Sequence, residues 1–227
     1  MAKITDAILK LLKWPTALCL LLSVPALIKA FDYFDFWNVK YFAFAAGIGF
    51  YLFTIVAVGY NICHSMQIIS HELTHTLFAF LTFHDAGRIR LHPDGSGGSM
   101  VVKGGGNWLI SLAPYFFPLF VFLYMLCMPR LLNLTEEHWL VYAIFGYLFA
   151  YYAATVLEQV HPQQTDIIKE GYLFSGIIII GANLWVTGII LAFNSKLWEG
   201  IKIYFLLIAQ LNIEQFTQLV KLITKYI

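Results

Sequence analysis

Charge is what this chain is short of. Asp, Glu, Lys and Arg supply 12% of its 227 residues, against about a quarter in an ordinary soluble domain. A net charge of +1 provides neither a basic surface for nucleic acid nor an acidic block for a strongly basic partner. Cysteine is scarce too. Cys19, Cys63 and Cys127 are odd in number, far apart and set in apolar surroundings, which excludes a disulfide framework or thiolate metal cluster and leaves packing roles. There is no repeat of fixed period. A small-residue cleavage site is also lacking after the first apolar run: Lys10 and Lys13 precede that run over 14–28, but the bulky, charged Lys29-Ala30-Phe31-Asp32 follows it. That run is read as a retained span or interfacial segment, and Pro15 and Pro25 argue against a straight helix there.

What the chain has instead is apolar surface. Sixty per cent of its residues are hydrophobic and 17% aromatic, with a mean hydropathy of +0.74, so lipid is its main solvent. Stretches of about 20 apolar residues, enough to cross a bilayer, occur over 41–62, 65–83, 107–128, 139–157 and 167–193. Over 197–227 apolar residues alternate with Lys202, Glu214, Lys221 and Lys225, as in a last span followed by an interfacial helix. Segment 84–106 differs, being polar and glycine-rich. Its β-favouring runs 88–92 and 99–103 flank Pro93-Asp94-Gly95-Ser96-Gly97-Gly98, a hairpin signature. Open strand edges cannot face lipid, so this hairpin belongs at the interface or in a protein-lined cavity. The expected fold is an all-α polytopic membrane protein of about six transmembrane helices, with a small membrane-associated β-hairpin. It forms one domain over 1–227, with a core at 62–181 and accessory helices at 1–61 and 197–227. Lys3, Lys10 and Lys13 favour a cytoplasmic N-terminus.

Chemistry concentrates in His71-Glu72-Leu73-Thr74-His75. Positions i and i+4 share a helix face, so both imidazoles can ligate one Zn²⁺, while Glu72 on the adjacent edge can act as general base toward water. A carboxylate amid apolar residues at membrane depth costs about 2.5–3.5 kcal/mol on insertion scales, which points to a metal or partner that offsets it. The competing reading is a His/Glu pair that merely bonds helices together. A catalytic zinc usually takes three protein ligands. Asp166, at the end of the polar loop His161-Pro162-Gln163-Gln164-Thr165, is preferred as the third over its neighbours Glu158, His161 and Glu170. It also suits a helix N-cap or first-turn position. His64 lies two turns before His71 and reads as an interfacial histidine, with a metal role as the alternative. His84, His92 and His138 read as solvated loop residues, and Asn107 as a candidate for orienting a substrate carbonyl.

The motif at 71–75, the glycine-rich hairpin after it, the span bearing Pro114 and Pro118, and the late Thr165-Asp166-Ile167 together resemble the site-2 protease family of intramembrane zinc metalloproteases, and more narrowly its small bacterial branch. The resemblance covers about 62–181. It implies Asp166 as third ligand of a single Zn²⁺, a membrane-anchored protein or peptide as substrate, and the bacterial inner (cytoplasmic) membrane as location. It also implies a hairpin edge around Met100, Val101 and Val102 that pairs with an extended substrate. The alternative is a non-catalytic membrane scaffold or metal-ion transporter using the same histidines.

Overall fold

A computed structural model describes residues 1–58, 60–91 and 98–226. Helix α1 (Ala2–Ala30) is continuous through Pro15 and Pro25 and ends in a 3-10 turn at Phe31–Tyr33. Asn38 then caps α2 (Val39–Val58), its side chain accepting from the Lys40 amide at 3.0 Å. Next come α3 (Tyr60–Leu81) and two short antiparallel strands, β1 (Arg90–Leu91) and β2 (Gly98–Ser99), in register Arg90 to Ser99 and Leu91 to Gly98. Ala86 bridges Val102 farther down. The turn expected over 93–98 lies, up to residue 97, outside the described residues, as does His92. The remaining helices are α4 (Trp108–Leu112), α5 (Leu119–Leu134), α6 (His138–Gln159), α7 (Thr165–Glu170) and α8 (Tyr172–Tyr226).

Among the described residues four helical stretches are long and apolar enough to cross a membrane, or five if the bent pair Trp108–Tyr115 and Leu119–Leu134 is one span. The protein is therefore an integral membrane protein built of helices. The count falls below the expected six for two reasons. Although 22 residues long, α3 spends its length on His64, Ser65, Gln67, Ser70, His71, Glu72, Thr74, His75 and Thr76. In addition, α8 counts once although Lys196 and Leu197 leave helical geometry. There the helix turns back on itself, which sets Gly188 against the Tyr204 ring and Gly200 against the Ala192 carbonyl. The bent pair turns through 73° around Pro114 and Pro118, as expected where two missing amide hydrogens interrupt the helical ladder.

Packing explains how the site is held. Helices α2 and α6 cross with almost no side chain between them: a Cβ on Gly47 would lie 1.8 Å from the Ala143 carbonyl oxygen, and one on Gly146 1.9 Å from that of Phe44. Small residues that let backbones touch are how helices associate tightly in lipid. Short α4 is wedged between two cores. On one side Ile110 and Ala113 pack on Phe78 and Ala79 of α3. On the other, Trp108 and Leu112 join Ala17 of α1, Ile167 of α7, and Phe174 and Ile178 of α8.

Candidate metal centre

Helical spacing puts His71 and His75 one turn apart on α3, with Nε2 to Nε2 at 3.1 Å. Glu72 and His75 are 5% and 8% exposed. Asp166 enters from the first turn of α7, where a negative charge suits the helix N-terminus. Its Oδ2 is 3.3 Å from His75 Nε2 and 3.9 Å from His71 Nε2. The ligand atoms of these three residues all lie within 4.8 Å of one another. Tetrahedral ligands at roughly 2.0–2.1 Å from zinc stand about 3.3 Å apart, close to this spacing.

Hydrogen bonding settles which atoms face inward. His75 Nδ1 is 2.8 Å from the carbonyl oxygen of Ile110. A carbonyl only accepts, so Nδ1 carries a proton, and in the neutral, metal-binding ring Nε2 holds a lone pair. That carbonyl is available because its helical partner would be the amide of residue 114, and Pro114 has none. His71 Nδ1 is bonded to Gln159 Oε1. The Gln159 amide group donates to the Gln67 carbonyl at 3.2 Å, which fixes Oε1 as the acceptor and Nδ1 of His71 as the donor. As neutral rings, both imidazoles thus turn lone pairs toward a carboxylate. Three electron-pair donors converging on one point fit a cation. Second partners of this kind hold ring and tautomer in metal sites.

Around Asp166, the Tyr115 hydroxyl donates to Oδ2 at 3.4 Å. Burial alone would raise the Asp166 pKa, but protonated His71 and His75 donating to it outweigh burial and hold it well below the usual carboxylate range, so a proton that enters the cluster resides on an imidazole and not on the carboxylate. The carboxylate thus stays ionised, the form in which it could bind a cation.

A cavity of about 160 Å³ opens beside the three clustered side chains, lined by His75 and Asp166 and by Met100, Val102, Gly106 and Lys169. Gly87 N–H donates to the Val101 carbonyl and Lys103 N–H to that of Asp85. Strand alternation therefore turns the main-chain groups of Val102 to the opposite edge. Val101 is exposed, on the other face from Met100 and Val102. Strand β2 crosses close over α3: a Cβ on Gly98 would stand 2.9 Å from Glu72 Cγ. Asn107 lies outside the cavity lining. Its side-chain oxygen caps α4 through the Ile110 amide at 3.2 Å, and its amide group donates to Asp6 at 2.9 Å.

Several residues of this site carry no local sequence signal. Gln159, Tyr115 and Lys169 reach it only through tertiary packing. The Ile110 carbonyl had one sign, its place four residues before a proline. His64 is bonded to Glu158 rather than directed to the His71 cluster. Expected to be solvated, His84 is buried instead: its Nδ1 lies 3.1 Å from Thr82 Oγ1, and its Nε2 lies 3.1 Å from Asp6 Oδ2.

Comparison with curated proteins and with solved structures yields no match. The Peptidase M50B-like family matches residues 44–225, a wider stretch than the motifs alone suggested, which takes in Glu72 and all three clustered side chains and leaves out α1. The chain thus belongs to the Peptidase M50B-like family, the site-2 protease family of intramembrane metalloproteases.

Proposed function

We propose that this chain is a zinc endopeptidase that hydrolyses a peptide bond of a membrane-anchored protein, with His71, His75 and Asp166 as metal ligands and Glu72 as general base. The observation that carries the reading is the convergence of two imidazole lone pairs and an ionised carboxylate, each held by a partner outside the cluster. When bound, zinc supplies Lewis acidity, lowering the pKa of water to roughly 7 and polarising a carbonyl.

The chain's own residues do the rest. Glu72 accepts the proton that water gives up as its oxygen bonds the scissile carbon, and passes it to the amine that leaves as the C–N bond breaks. Tyr115 and Gln159 keep Asp166 and His71 aimed. Met100 and Val102 line the cavity beside the ligands. The outward main-chain groups of Val102 offer an extended substrate a strand edge, which binds backbone with little demand on side-chain identity. The whole chain serves as one membrane-embedded domain, placed in the bacterial inner membrane with its lysine-bearing N-terminus in the cytoplasm.

Glu72→Gln is the test. The variant is expected to bind one zinc per chain and to leave uncleaved the proteins that wild type removes from a membrane proteome. Cleavage by it at the wild-type rate rules out the general-base role.

A further inference from the structure

The family match starts at residue 44, yet one face of α1 reaches the segments that carry the metal centre. Residues 6, 9 and 13 lie about one turn apart on that face. Asp6 accepts from His84 Nε2 at 3.1 Å and from the Asn107 amide group at 2.9 Å, so one carboxylate ties both ends of the segment that lines the cavity. The Leu9 carbonyl accepts from Trp108 Nε1 at 2.7 Å. Lys13 Nζ donates to Glu170 Oε2 at 2.7 Å and to the Glu170 carbonyl at 3.1 Å, and lies 4.5 Å over the Phe174 ring. Farther along, Ala17 and Leu20 continue the same face into the apolar core under α4 and α7.

Each bond leads to a ligand. Asn107 and Trp108 start α4, whose Ile110 carbonyl orients His75. Glu170 ends α7, whose first turn carries Asp166. The two elements that must stay in register with α3 are short, five and six residues, too short to hold themselves by helical hydrogen bonding alone.

We infer that α1 is an intramolecular clamp that sets the metal affinity of the centre, with Lys13 and Asp6 as positioning residues that act through α7 and α4. This rests on the metalloprotease reading above. Neither residue touches metal or substrate; each sets where a ligand stands.

The full chain, purified in detergent, is titrated with zinc against a chromogenic chelator, and the unfolding temperature of the metal-free form is measured in parallel. Lys13→Met and Asp6→Ala are each expected to weaken zinc binding about tenfold, the low end of the loss seen when outer partners of metal ligands are removed. Lys13→Arg, which keeps the charge and the donors, restores it. Lys10→Met, on an exposed position of the same helix, binds zinc like wild type. If Lys13→Met and Asp6→Ala bind zinc as tightly as wild type, the clamp is wrong, including where they lower the unfolding temperature, since α1 is then mere packing. If wild type itself takes up no zinc, the metal reading fails and the clamp fails with it. One zinc in wild type with unchanged affinity in both variants sinks the clamp alone.

Discussion

At the scale of single residues, the centre depends on who holds the holders. An imidazole on a helix can rotate and change tautomer, so two histidines one turn apart make a metal site only when their outer nitrogens are committed elsewhere. Gln159 does this for His71 and the Ile110 carbonyl for His75. Gln159→Leu, similar in size but without an acceptor, is expected to lower zinc affinity about 10–100-fold while the circular dichroism of the helices is unchanged. Wild-type affinity in that variant would show that His71 needs no such partner. The His-Glu-x-x-His set was legible in the sequence because its geometry is local: helical periodicity alone brings 71 and 75 together. The partners Gln159, Tyr115 and Ile110 were not, because nothing in their own neighbourhoods records which helix lies opposite.

At the scale of elements, apolar runs foretold most helices, though not each one as a span by composition. The stretch expected to span at 65–83 does form a helix, yet its many polar groups, His71, Glu72 and His75 among them, leave it too hydrophilic to count as a span by composition. The prolines of α1 proved tolerable, since neighbouring groups can satisfy the carbonyls they free. The closest helix contact had no motif of its own in the sequence reading: α2 and α6 meet at Gly47 and Gly146 with backbone against backbone. Gly146→Ala would place a methyl group 1.9 Å from the Phe44 carbonyl oxygen. The helices must then part, and overpacking of this kind costs about 1–3 kcal/mol. A lowered unfolding temperature in detergent is expected, and no change would mean that the crossing is looser than described.

At the scale of the molecule, the proposed metal centre is assembled from α3, α7 and the backbone of α4, drawn from three separate regions of the chain. An ion bound there cross-links elements that otherwise meet through modest apolar contacts. At free zinc one hundred times its dissociation constant, binding to the folded state alone adds about 2.7 kcal/mol of stability. Chelation is therefore expected to lower the unfolding temperature, and zinc to restore it where magnesium does not, since two imidazole nitrogens suit the softer ion. Equal unfolding temperatures with and without chelator would argue against a bound metal of that affinity. Which helices neighbour one another was beyond the reach of the sequence reading, because helix partners in lipid are chosen by fit between surfaces and not by hydropathy.

Pro114 shows how far such fit extends. A ring closes its nitrogen, so a carbonyl one turn earlier looks outward, across to another helix. Any other amino acid at that position would bring back a hydrogen and invite Ile110 to bond within its own coil, leaving His75 free to swivel. A vital feature of this centre is therefore an atom that is not there, and a substitution usually thought to repair a helix would here unsettle one that never changed.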